Sequence, residues 1–170
     1  MRGERGLERI KTRLGEIEID ERDIIDFPEG LPGFEYLRRY ALIQDERTDP
    51  IKWLVSLEDE NVSLPVIDPW LVRVDYSVEI SPADKRLLKL EDVKDALVLC
   101  VVVIPKDSPE DATVNLLAPV IINVRENIGE QVILDDPNYT IRHRIVDEME
   151  RSRKLVDQDV KTSAGTESEG

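Results

Sequence analysis

At 170 residues the chain is long enough for one domain with a single packed core, and its apolar fraction of 41% is ordinary for such a domain. Its net charge of −14 is not ordinary: 37 acidic side chains face 23 basic ones, which argues against a protein that grips nucleic acid or anionic lipid directly, since both are polyanions. The single cysteine, Cys100, excludes an internal disulfide framework, and the basic N-terminal stretch MRGERGLERIKTR lacks an apolar signal core, so the expected address is cytoplasmic, without membrane contact.

Residues 1–11 read as a flexible N-terminal arm. From Thr12 the chain alternates, with Leu14, Ile17 and Ile19 set between Glu16, Glu18 and Asp20, which predicts a strand over 12–19 and a turn at 20–21. A short strand follows at Ile24, Ile25 and Phe27. FPEGLPGFE, residues 27–35, holds two prolines and two glycines and predicts a defined turn, anchored by Phe27, Leu31 and Phe34. Strands are expected over 39–44, 51–57 and 62–67, the second with Ile51, Trp53, Val55 and Leu57 on one face. Asp68-Pro69-Trp70 breaks the third, and 71–80 reads as a less regular extended piece with Val72, Val74, Tyr76, Val78 and Ile80 on one side. Ser81-Pro82-Ala83-Asp84 is a helix start: Ser81 caps, Pro82 suits the first helical position, and Asp84 favours the positive end of the dipole. That helix is expected to reach about Leu90.

The centre of the chain is expected at residues 97–123. LVLCVVVIP and TVNLLAPVIIN are β-branched, apolar runs joined by KDSPEDA, which predicts two core strands with a short connection. A turn at 124–129, a strand at 130–134 and a turn at Asp135-Asp136-Pro137-Asn138 follow. Ile145, Met149, Ser152, Val156 and Val160 recur at helical spacing, so 144–160 reads as an amphipathic helix before a polar, disordered tail. The predicted fold is mostly β: a small antiparallel β-barrel-like domain of about nine short strands with one or two short helices, plus a C-terminal helix.

No catalytic set emerges. His143, between Arg142 and Arg144, has no nucleophile and acid nominated beside it. Asp135 and Asp136 precede Pro-Asn as turn formers do, without a matching ligand cluster. Gly30 and Gly33 sit among prolines and open no phosphate-binding helix, and Cys100 lies in an apolar run as a small buried hydrophobe would. The aromatics are not interleaved with basic residues as a stacking platform needs. The expectation is a binding protein without enzymatic activity, cofactor or metal. A small hydrolase or ligand-binding barrel is the alternative from another class.

Four segments together resemble the flagellar assembly factor FliW family: EIEIDERDIIDFPEGLPGFE (16–35), VIDPWLVRVDYSVEI (66–80), TVNLLAPVIINVRENIGEQVILDD (113–136) and YTIRH (139–143). The combination of FPEGLPGFE with NLLAPVIIN is the most specific part. The resemblance implies a small, non-catalytic β-barrel-like domain over 12–143. It also implies two cytoplasmic protein partners, flagellin and the RNA-binding translational regulator CsrA, whose repression of flagellin translation the factor relieves. A role as an export chaperone for flagellin, without effect on translation, is the alternative within the family. The chain continues as a C-terminal extension over 144–170, where family members usually end soon after the RH segment.

Two stretches are candidate partner-binding sites. Asn115, Leu116, Leu117, Pro119 and Val120 interrupt a strand with a proline, as an edge or bulge does, and an apolar edge is a docking place for a peptide. Asp68, Trp70 and Tyr76 form the second, with Trp70 as an aromatic anchor.

Overall fold

The computed structural model describes residues 6–168, with side chains as far as residue 161. Eleven strands and two α-helices are laid down in the order β1 (Leu7–Thr12), β2 (Gly15–Asp20), β3 (Ile25–Asp26), β4 (Arg39–Gln44), β5 (Lys52–Ser56), β6 (Ser63–Ile67), α1 (Pro82–Leu87), β7 (Ala96–Val103), β8 (Thr113–Val114), β9 (Val120–Asn123), β10 (Ile128–Gln131), β11 (His143–Arg144) and α2 (Ile145–Ser168).

β7, β6, β5, β4, β3, β10 and β9 form a closed ring, because β9 returns to pair with β7. Closure removes the sheet edges that an open antiparallel sheet would expose. All pairings in the ring are antiparallel except β3–β10, which meet in parallel at Asp26 and Ile128. β8 and β11 add to the far end of β7.

The ring has apolar residues on both faces around β6, β7 and β9. Phe27, Tyr40, Leu54, Val66, Leu99, Val120 and Ile122 come from all sides of the ring and fill one cluster. Ile67, Cys100, Val102 and Ile121, one residue out of phase with them, pack outward under Val72, Tyr76, Leu88, Leu116, Leu134 and Tyr139. Burial on both faces is why these strands read as continuous apolar runs rather than alternating ones. On the opposite side, the β1–β2 hairpin lies over Ala41 and Val55, with Ile19 beneath it. The face expected for β5 is therefore a covered outer face, and Leu54, fully buried, is the residue that points into the barrel.

Several expectations are corrected. Residues 7–11 are a strand and not a flexible arm: each pairs with β2, from Leu7 opposite Asp20 to Lys11 opposite Glu16. Charged residues in most positions hide this strand, whose stability comes from the ladder and from Ile10 opposite Ile17. The remaining arm, 1–5, lies outside the described residues. Residues 71–80 hold no strand, because Asp68 caps a 3-10 turn at Pro69–Leu71 and the chain then runs irregularly over the sheet. α1 starts as predicted, with the Ser81 hydroxyl accepting from the Asp84 amide at 3.1 Å, but ends at Leu87 with Lys89 at φ 53°. The C-terminal helix runs on to Ser168, through most of the segment expected to be disordered; 169–170 lie outside the described residues.

The 27–35 turn is as predicted in kind. Gly30, at φ 67°, is required twice over, since a Cβ there would lie 2.7 Å from the Glu35 backbone. Gly129 lets β10 pass the Phe27 ring, where a Cβ would sit 2.5 Å from it.

Candidate functional site

The second apolar run is one strand interrupted. Val114 lies opposite Val102 and Val120 opposite Leu99, so six positions on this side span three on β7. The extra residues loop out over 115–119 as an enlarged bulge. Asn115 closes it: its amide donates to Val101 O at 2.9 Å, and its Oδ1 accepts from the Ala118 amide at 2.9 Å. The carbonyls of 116–119 then each find a donor. Leu116 O accepts from the Tyr76 hydroxyl (2.7 Å), Leu117 O from the Leu134 amide (2.8 Å), Ala118 O from Gln131 Nε2 (2.9 Å) and Pro119 O from the Val132 amide (2.9 Å).

This arrangement corrects the expectation of an exposed apolar edge. Leu116, Pro119 and Val120 are buried, and Tyr76 from the second candidate stretch is buried with them. These four side chains belong to the core and are not available to a partner. Asn115 and Leu117 are half-buried, and Asp68 and Trp70 are exposed. The two stretches nevertheless meet, through the Tyr76–Leu116 hydrogen bond.

Trp70 is held from three sides. Its amide donates to Asp68 Oδ1 at 2.9 Å, its indole N–H donates to Tyr76 O at 2.8 Å, and its ring stands edge-on to Tyr76 with centroids 5.6 Å apart. The side chain is 41% exposed. It borders a groove of about 390 Å³ whose walls include Val78, Ile80, Val93 and Val98, with Glu79 and Lys85 as its charged lining. A fixed aromatic ring beside such a groove loses little conformational freedom on binding, which is the property of an interface anchor. Beneath it, burial pushes the Tyr76 phenol well up and the Cys100 thiol up to about 12, so neither ionises at neutral pH.

Behind this platform sits the start of α2, through contacts that link residues far apart in sequence. Ser152 Oγ accepts from the Val74 amide and donates to Val72 O, both at 3.0 Å. Arg151 grips Asp75 with two hydrogen bonds of 2.7 and 2.8 Å, which hold that carboxyl well below the usual range, at about 2. Arg73 lies 5.0 Å from the centroid of the Tyr139 ring and 3.5 Å from Glu148. His143 receives the Thr140 amide on Nε2 at 2.8 Å, so it donates Nδ1–H to Glu148 at 2.9 Å, as a neutral ring held in one tautomer. These contacts give His143 a positioning role between the barrel and α2. The apolar stripe expected for α2 packs only in part: Ile145 meets the core, whereas Met149, Val156 and Val160 are exposed. The sequence signal for the docking was Ser152 itself, a small hydroxyl residue in an otherwise apolar stripe; its partners on 72–75 carry no pattern of their own.

Among the described residues no group of three or more His, Cys, Asp or Glu side chains is placed to hold a metal ion, and no helix is long and apolar enough to cross a membrane.

The model of the FliW protein family matches residues 8–145. The flagellar assembly factor FliW of Thermosipho africanus is 51% identical over 137 residues, covering 81% of this chain and 94% of the relative. That of Pseudothermotoga lettingae is 46% identical over 146 residues, covering 86% and 93%. A crystal structure of the flagellar assembly factor FliW superposes with a TM-score of 0.76 at 31% identity, over 81% of this chain and 96% of that one. The family match ends at the first residue of α2, so the rest of that helix lies outside it.

Proposed function

The chain belongs to the FliW family of flagellar assembly factors, and on that footing we propose that it binds flagellin and antagonises the translational regulator CsrA in the cytoplasm, by protein–protein contact and without catalysis. Relief of CsrA repression then raises flagellin translation, and free flagellin competes for the factor. The observation that carries the reading is Trp70, 41% exposed and fixed beside a groove of mixed apolar and charged lining, in a protein of net charge −14. Trp70 and Asp68 are the contact residues, with the half-buried Asn115 and Leu117 of the bulge that Tyr76 clamps.

The acidic excess supports the antagonism physically. A regulator that binds RNA presents a basic surface, and an acidic protein docked beside it lowers its affinity for a polyanion by repulsion across about one Debye length. The test is a reconstituted translation assay with a flagellin reporter repressed by CsrA. Addition of the chain should restore translation, and excess flagellin should restore repression. Restored translation that weakens steadily with added salt supports the charge mechanism; relief that is constant across salt assigns it to contact alone. Binding to flagellin with no effect on the reporter would leave only an export-chaperone role.

A further inference from the structure

Residues 132–135 carry β10 beyond its last ladder pair, Gln131 opposite Val120, as an extended segment. Val132 and Leu134 turn inward, and their amides donate to the bulge carbonyls of Pro119 and Leu117. Alternate residues of an extended chain direct their N–H and C=O groups to opposite sides. Ile133 and Asp135 therefore aim theirs away from the bulge, and among the described residues neither backbone has a hydrogen-bond partner. Ile133 is also the most exposed large apolar side chain of the described residues, at 74%. A closed barrel thus retains one short open edge.

The edge faces a groove of about 380 Å³ whose opposite wall is 77–84. Ile80, Val132 and Leu134 give it apolar lining. Glu79, Asp84, Asp135 and Asp136 line it too, with no cationic side chain among the lining residues. At its border Glu130 Oε2 is buried without a hydrogen-bond partner. Burial first, then a hydrogen bond and the charge of Asp84, then Glu29 push the Glu130 carboxyl up to about 8.

We propose that this edge and groove dock a basic, extended segment of a partner protein, which pairs as an added strand with Ile133 and Asp135 and sets cationic side chains against Glu79, Asp84 and Asp136. Main-chain pairing supplies affinity, and the alternating acidic and apolar lining selects a segment that alternates cationic and apolar residues. The net charge of −14 steers such a segment toward the protein and disfavours a second copy of the same chain on this edge. This groove shares the Glu79–Ile80 wall with the groove beside Trp70, but the edge residues Ile133 and Asp135 line only this one; its test reads their amides and needs neither flagellin nor the regulator, so its failure is distinguishable from failure of the functional reading.

The experiment titrates the full chain into a labelled peptide of roughly ten residues alternating Val and Lys, with a Val/Glu peptide beside it. The Val/Lys peptide should bind and the Val/Glu peptide should not. Ile133→Pro, which removes the pairing amide at an exposed position, should weaken binding at least about tenfold. The pair Glu79→Gln and Asp135→Asn should weaken it by a similar factor, whereas the remote pair Glu16→Gln and Glu46→Gln, equal in charge, should change it less than about twofold. Amide exchange at Ile133 and Asp135 should slow in the complex, a readout that stands even where Ile133→Pro fails to fold. Equal losses from the two charge pairs, wild-type affinity in Ile133→Pro, or protection confined to other amides would overturn the proposal, as would self-association of the chain through these amides.

Discussion

The stretches 115–120 and 68–76 both carry a proline in or beside an apolar strand, yet they serve opposite ends. In 115–120 the proline marks a bulge whose carbonyls at 116–119 are satisfied internally and whose leucine at 116 is fully buried. In 68–76 the proline opens a capped turn that ends the strand and lifts Trp70 to the surface. A proline that breaks a strand says that the ladder changes there; it does not say whether the residues beside it turn in or out. That is decided by what covers the break, here Tyr76 and residues 132–134 over the bulge.

The contrast predicts separable variants. Leu116→Ala should cost about 2–5 kcal/mol of stability, read by denaturant unfolding, because a fully buried leucine leaves a cavity. Affinity of the folded fraction for flagellin and CsrA should stay unchanged; a selective loss of binding with normal stability would return 115–120 to the interface. Trp70→Ala should do the reverse and weaken partner binding by about 2 kcal/mol, roughly thirtyfold, as an aromatic anchor does. If calorimetry finds both partners bound as before, Trp70 is only a lid on Tyr76.

Ser152→Ala should cost about 1–3 kcal/mol, since the Val74 amide and Val72 carbonyl lose their shared partner. Hydrogen exchange at Val74 should accelerate ahead of the barrel amides, and uniform acceleration would mean that α2 and the barrel unfold as one unit. Glu130→Gln tests the strand that clamps the bulge. The folded-state value near 8 lies above the unfolded value near 4.5, so the folded protein holds a proton that the unfolded chain gives up. Stability is therefore full below about pH 4.5 and falls as pH rises toward 8. The variant should match the wild type at pH 4 and exceed it at pH 8 by about 1 kcal/mol after solvent screening, or about 2–4 °C in Tm. A Tm difference that is flat with pH would remove Glu130 as the titrating group. Asp75→Asn should have the smallest effect, about 0.2–1 kcal/mol for a half-exposed pair. Its depressed carboxyl contributes stability above about pH 4 that is lost as pH falls toward 2. An acid titration in which the difference between wild type and variant is as large at pH 2 as at pH 7 would contradict the pairing.

Much of the barrel was legible because its signals are local. Ser81-Pro82 starts a helix by capping alone, and the glycines of 27–35 admit only a turn. The apolar runs at 97–103 and 120–122 announced core strands. The β1 strand was not legible, because its two apolar residues, Leu7 and Ile10, fall on opposite faces among Glu8, Arg9 and Lys11, and its ladder exists only against β2. The inward turn of Leu116 depends on Tyr76, forty positions away, and the seating of α2 on Arg151–Asp75 at a separation of 76. Such polar contacts leave no period in either segment. Trp70 was named as an aromatic anchor after the break at Asp68-Pro69, but its exposure was not legible, because it is set by the capped turn and by the indole bond to Tyr76 O.

The central claim is that flagellin and CsrA compete for this chain. Sedimentation velocity on the chain with CsrA, titrated with flagellin, tests it directly. The account predicts that the CsrA complex disappears as a flagellin complex of matching stoichiometry forms, with free CsrA released. A single larger species containing all three proteins would contradict it.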